Sequence, residues 1–277
     1  MTLSGADVRR LLDQYGLVPS RARGQNFVVD PNTVRRIARL AEVGEGDRVV
    51  EIGAGLGSLS LALAETGASV TAIEVDSRLV PALRSVVEPS GVAVVEGDAL
   101  HLDWDALLGS EPWVLVANLP YNVATPLVAD LLDGVPAIGR MLVMVQREVG
   151  ERLAAGPGDE AYGAVSVKIA YWATARVVGR VPPTVFHPVP KVESALVRIE
   201  RRPQPAVPAE VEPEWLFRLV RAGFGQRRKM LRRSLAALIP PEAFVEAGLR
   251  PESRAEELSV GDWGRLAACT SSGRPPS

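Results

Sequence analysis

The stretch Val49-Val50-Glu51-Ile52-Gly53-Ala54-Gly55-Leu56-Gly57 decides the fold. It reads as a short apolar strand that runs into three glycines at alternate positions and then into a helical pattern. Glycine costs conformational entropy, so three of them at a strand end mark a backbone that turns sharply or approaches a ligand closely. The dinucleotide fingerprint G-x-G-x-x-G would need its third glycine where Ser58 stands, so that spacing fails. The next strand, Val70-Thr71-Ala72-Ile73, closes on Glu74, where a ribose-binding acid belongs. A tight turn without a ligand explains the glycines alone equally well. Together with Glu74 and the segments below, they point to a nucleotide-like cofactor held without a phosphate cradle.

On either side of this stretch, strand and helix patterns alternate. Strands are expected at 48–52, 69–74, 92–95, 113–117 and 140–145, and helices at 58–66, 77–87, 123–133 and 147–155. Apolar runs separated by amphipathic segments argue for an α/β fold with a parallel sheet covered on both faces. Ligands bind such sheets at the carboxyl ends of the strands. Gly53, Glu74, Gly97-Asp98 and Asn118-Leu119-Pro120-Tyr121 each follow a strand, and coincidence at four strands is improbable. A further helix near 161–173 precedes two more strands, at Val177-Val178 and Ser194 to Ile199. Between these strands, Pro182 to Pro190 form a loop stiffened by four prolines that mounts Phe186.

The 277 residues suffice for one large domain and a small one. One cysteine, Cys269, excludes an internal disulfide framework, and with only His101 and His187 beside it no zinc site of the usual kind is expected. No apolar leader core accompanies Asp7, Arg9 and Arg10, so a cytoplasmic chain without a membrane span is expected. Residues 1–29 read as a basic, loosely patterned arm with Arg9, Arg10, Arg21 and Arg23. Asp30-Pro31 then looks like a helix N-cap followed by proline at the first helical position. Pro203, Pro205, Pro208 and Pro213 suggest a linker over 203–213. Expected domains are therefore 1–202, a helical domain at 214–269 and a tail at 270–277.

Two segments carry chemistry. In Asn118-Leu119-Pro120-Tyr121 a neutral amide ends a buried strand, Pro120 fixes a turn and offers its carbonyl, and Tyr121 offers a flat face. The set suits a planar base with an exocyclic amine, held between Tyr121 and a second aromatic such as Phe186. A turn with a core tyrosine is the plainer account of the tetrapeptide alone. Asp98 suits either an adenine amine or a helix cap. From Arg218 to Arg233 there are seven basic residues and no acid, within a chain of net charge -2. Arg221, Arg227, Arg228, Lys229, Arg232 and Arg233 are the candidates for a polyanionic partner. Phosphate contacts of this kind set affinity and salt dependence rather than sequence choice. Leu219, Val220, Met230, Leu231 and Leu235 suggest that the run lies on amphipathic helices.

These residues resemble a known family, the ribosomal RNA adenine N6,N6-dimethyltransferases (the KsgA/RsmA family). The resemblance runs from about Gly24 to Leu266. It rests on Gly24-Gln25-Asn26-Phe27, Val50 to Gly57, Asn118-Leu119-Pro120-Tyr121-Asn122, Ala161-Tyr162-Gly163, Phe186 to Ala195 and Phe224-Gly225-Gln226-Arg227-Arg228-Lys229. It implies a seven-stranded, Rossmann-like methyltransferase sheet, S-adenosylmethionine as cofactor, and action on 16S ribosomal RNA in the small ribosomal subunit. Nothing in the sequence suggests an obligate dimer, so a monomer is expected. Asn26, Val28, Gly53, Gly55, Glu74, Asp98 and Asn118 would line the cofactor site. Within it, Glu74 would hold the ribose and Asp98 the adenine amine. Asn118 and the Pro120 carbonyl would accept from the target N6, with Tyr121 and Phe186 stacking on its ring. Val28 and Val29 stand where the family often has leucine. The alternatives are a large-subunit (23S) adenine methyltransferase conferring antibiotic resistance and a non-catalytic RNA-binding assembly factor. A nicotinamide dehydrogenase is disfavoured by Ser58.

Overall fold

Apolar runs of the expected length build one seven-stranded sheet. The computed structural model describes residues 2–20, 24–120 and 123–270. The chain divides into two units, Met1–Gly150 with Arg176–Arg201, and Glu151–Ala175 with Arg202–Ser277.

The strands are β1 (Phe27–Val28), β2 (Arg48–Ile52), β3 (Ser69–Glu74), β4 (Ala93–Glu96), β5 (Trp113–Asn118), β6 (Ile138–Gln146), β7 (Ala173–Val181), β8 (Phe186–His187) and β9 (Ser194–Arg201), all in the first unit except the first three residues of β7. The large sheet has the order β4-β3-β2-β5-β6-β9-β7, and β1 pairs with β8 in a separate ladder. Strands β2 to β6 run parallel, and β9 returns antiparallel to β6. Val49, Val50, Leu115, Val116 and Val143 are buried, as strands covered on both faces require.

The first unit's helices are α1 (Gly5–Gln14), α2 (Pro31–Ala41), α3 (Ser58–Ala64), α4 (Val80–Val87), α5 (Trp104–Leu108) and α6 (Ala124–Gly134). Asp30 caps α2 as its sequence predicts: Oδ2 accepts from the Thr33 amide at 2.9 Å, with Pro31 at the first helical position. Val34, Ile37, Ala38 and Ala41 are the buried stripe of α2 and join the sheet residues Leu142, Met144 and Leu196 in one core.

Three expectations change. Within the arm, residues 2–20 are not loose. Ser4 and Asp7 form a reciprocal capping box for α1, and Val8, Leu11 and Leu12 bury against Phe27, Leu56 and Leu79. The stretch 203–213 is no free linker, because Val207 and Val211 sit in the core of the second unit. The boundary also moves: 151–175, read as part of the first domain, clusters with the C-terminal residues.

The second unit is helical: α7 (Arg147–Ala154) enters it from the first unit, and α8 (Ala164–Trp172), α9 (Pro213–Gly225), α10 (Leu231–Ser234), α11 (Glu242–Glu246) and α12 (Val260–Thr270) follow. Its core holds Tyr162, Leu219, Phe244 and Trp263, and the Tyr162 hydroxyl donates to the Leu258 carbonyl at 2.9 Å. Among the described residues no helix is long and apolar enough to cross a membrane.

Candidate active site

Strand β2 has β3 on one side and β5 on the other, so the chain order reverses there, and a crevice opens beyond the strands' carboxyl ends. A cavity of about 440 Å³ lies there, lined by the turns after β2, β3, β4 and β5 and by residues 24–28. The glycine turn is fixed by sterics. Gly57 has φ 87°, and a Cβ on it would lie 2.3 Å from Val87 Cγ1. Gly55 has φ 60°, and a Cβ on it would lie 3.0 Å from the Phe27 ring. A side chain at either position would be strained, so both favour glycine.

Glu74 enters at the end of β3 and is buried. Its Oε2 accepts from the Gly55 amide at 2.7 Å and its Oε1 from the Asp76 amide at 2.9 Å. Burial raises its pKa while these amides oppose the rise. Each oxygen keeps a lone pair for a ligand hydroxyl. Asp98, after β4, also lines the cavity. Its Oδ1 accepts from the Leu100 amide at 3.0 Å and its Oδ2 lies 3.0 Å from His101 Nδ1. The Leu100 amide, opposed by burial and aided by His101, holds its carboxyl below the usual range.

At the end of β5, Asn118 Nδ2 donates to the Asn26 carbonyl at 3.2 Å, which orients the amide and leaves Oδ1 without a donor among the described residues. Asn26, Val28, Gly53, Gly55, Glu74, Asp98, Asn118 and Pro120 all line this one cavity. Two expected roles do not fit. The Pro120 carbonyl is not free: it accepts from the Val123 and Ala124 amides at 3.2 and 3.1 Å, because the first turn of α6 needs acceptors. Phe186 does not line the cavity. It pairs with Val28 in the β1–β8 ladder and is 2% exposed, a core ring with no open stacking face. Tyr121 lies outside the described residues.

Sequence reading missed two cavity residues. Glu51, in the middle of β2, accepts from Ser60 Oγ at 2.5 Å. Burial, opposed by the Ser60 bond and aided by the charge of Glu74, pushes its pKa up to about 8. Ser58 Oγ is buried without a hydrogen-bond partner among the described residues. The signal for Glu51 was its charge inside an apolar strand. Ser58 was noticed only as a departure from a glycine motif.

The family model for ribosomal RNA adenine dimethylase matches residues 20–271. The chain belongs to that family. Its relatives include the ribosomal RNA small subunit methyltransferase A of Thermobifida fusca, 50% identical over 276 residues, covering 96% of this chain and 95% of the relative. The Streptomyces coelicolor protein of the same name is 47% identical, with 96% of each chain covered. Among solved structures, the 23S rRNA methyltransferase ErmE is 27% identical at a TM-score of 0.70, covering 88% of this chain and 99% of that one. A dimethyladenosine transferase from Plasmodium falciparum, 23% identical at a TM-score of 0.74 with 88% and 96% covered, shares the fold. The seven-stranded α/β architecture is thus that of ribosomal RNA methyltransferases, as the sequence led us to expect.

In the basic run of the second unit, six of the seven cations divide into two sets. It does not lie on continuous helix: α9 stops at Gly225, and Arg227, Arg228 and Lys229 occupy a turn before α10. Arg227 bonds Glu256 Oε2 and the Glu160 carbonyl, both at 2.7 Å, and Arg232 pairs with Glu252 at 3.4 Å. Arg221, Arg228, Lys229 and Arg233 are exposed and have no ion pair among the described residues.

Proposed function

We propose that this dimethylase transfers methyl groups from S-adenosylmethionine to N6 of two adjacent adenosines near the 3′ end of 16S ribosomal RNA in the small ribosomal subunit. The observation that carries the reading is Asn118, an oriented amide with a donor-free Oδ1 at the rim of a cavity that also holds Glu74 and Asp98. Glu74 suits ribose hydroxyls and Asp98 an adenine amine. The buried Ser58 hydroxyl has no partner among the described residues, and a ligand bearing an ammonium group and hydroxyls offers one. When bound, that cofactor supplies a methyl already activated on sulfur.

The chain's own task is alignment. Holding N6 in line for attack accounts for roughly 7–11 kcal/mol of barrier reduction in well-oriented reactions. The Asn118 oxygen accepts from N6, favours a pyramidal nitrogen and offsets the positive charge that develops on it. With the Pro120 carbonyl occupied and Phe186 in the core, Asn118 carries the acceptor role, and base stacking falls to Tyr121. The free cations Arg221, Arg228, Lys229 and Arg233 bind phosphates, while Arg227 and Arg232 mainly hold their own unit together.

Similarity to a 23S rRNA methyltransferase favours the large subunit as a second reading, but it stands at 27% identity against 50% for the small-subunit relative. Asn118→Ala tests the site. Single-turnover methylation of small subunits should fall by roughly 100-fold or more, in line with the loss of one preorganised polar group. Affinity for the subunits should change little, and retained turnover would remove Asn118 from the chemistry.

A further inference from the structure

The edge of the large sheet carries a second group of cations, which belong to the first unit. Arg176, Val178 and Arg180 point to one side of β7 at the two-residue period, and Val178 packs on the core that α2 covers. Arg36 and Arg39, three apart on α2, share a face. Arg36 Nη1 donates to the Arg180 carbonyl at 3.0 Å, which ties that face to the edge strand.

Arg140 and Arg198 extend the cluster. Arg140 Nη2 donates to the Glu42 carbonyl at 3.0 Å, and Arg198 Nη2 reaches Glu42 Oε1 and the Leu40 carbonyl, both at 2.6 Å. Arg198 also lies 3.9 Å from Glu200. The Arg198 hydrogen bond, with the fields of Arg140 and Arg176, holds the Glu42 carboxyl below the usual range.

Six arginines thus share two carboxylates, an excess of four positive charges. Arg198, itself buried, engages both acids. Arg39, Arg176 and Arg180 are exposed, and their side chains make no hydrogen bond and no ion pair within 4 Å among the described residues. Arg140 Nε is buried with no partner among them. Packing like charges together costs the free protein energy that an anionic partner would return. Guanidinium forks suit phosphate oxygens in particular. Guarding an exposed sheet edge is the plainer use of edge charges. However, that role asks nothing of Arg39 or Arg140, which lie off the edge strand.

We propose that this arginine face on α2, β6 and β7 is a second contact for the phosphodiester backbone of the RNA substrate. The proposal rests on the RNA-methyltransferase reading above and assigns to it a surface on the catalytic unit.

The test uses the full chain and unmethylated small ribosomal subunits, with affinity measured across a salt series. Arg39→Gln, Arg176→Gln and Arg180→Gln together remove three cations without breaking a side-chain hydrogen bond. Each lost phosphate contact flattens the slope of log affinity against log salt by ~0.7–0.9, so the triple variant should be shallower by about 2–3. Its low-salt affinity should fall tenfold or more, while S-adenosylmethionine binding by calorimetry stays unchanged. The corresponding triple lysine variant should keep the wild-type slope.

An unchanged slope in the glutamine variant, with a flattened one in Arg228→Gln/Lys229→Gln, overturns the proposal and leaves the RNA reading standing. Self-association on gel filtration with an unchanged slope likewise overturns it in favour of edge guarding. If the wild-type chain itself fails to bind subunits, both readings fall.

Discussion

Two buried carboxylates at the cavity differ in how readily the sequence reveals them. Glu74 is legible because it ends a strand at a spacing that ribose-binding acids share, and its oxygens are held by the Gly55 and Asp76 amides. Glu74→Ala should weaken S-adenosylmethionine binding at least severalfold by calorimetry, and unchanged affinity would dismiss the ribose role. Glu51 reads as one polar letter in an apolar strand, and only the fold shows it buried against Ser60 and near Glu74. Its pKa of about 8 in the folded chain lies above the ordinary 4.5, so the folded state holds that proton more tightly than the unfolded state. The stability linked to it is complete below the ordinary value and is lost as pH rises through about 8. Glu51→Gln should therefore give a shallower fall in Tm between about pH 5 and pH 8, whereas parallel curves would contradict a neutral Glu51.

At the scale of elements, long periodic segments were legible and short or aperiodic ones were not. Strands β2, β3 and β5 appear at or within one residue of their expected limits, because buried parallel strands leave continuous apolar runs. The β1–β8 ladder has two residues per strand, too few for any period, and it is what draws Phe186 into the core. Helix α1 was hidden by its arginines, although Ser4 and Asp7 spelled a capping box and Val8, Leu11 and Leu12 a helical stripe. Ser4→Ala should cost roughly 1 kcal/mol in urea denaturation, as other lost N-caps do, and no shift in midpoint would mean that α1 contributes nothing to global stability. Gly57→Ala joins a left-handed φ to a clash with Val87, so a loss of roughly 2–5 kcal/mol is expected. A variant as stable as wild type would show that the turn can relax.

Over the whole molecule, composition suggested two domains, but not where the chain divides. Prolines drew the boundary to 203–213, whereas burial of Val207 and Val211 places that stretch within a core. The basic run was legible as charge alone. Its division into Arg227 and Arg232, bonded within their unit, and a free set needed the positions of Glu160, Glu252 and Glu256. The most direct test of the central claim is methyl transfer from labelled S-adenosylmethionine to unmethylated small ribosomal subunits and, in parallel, to protein-free large-subunit RNA, with nucleoside analysis of both. N6,N6-Dimethyladenosine is expected in the small-subunit RNA alone. Label in the large-subunit RNA, or none in either while subunit binding persists, would contradict that claim.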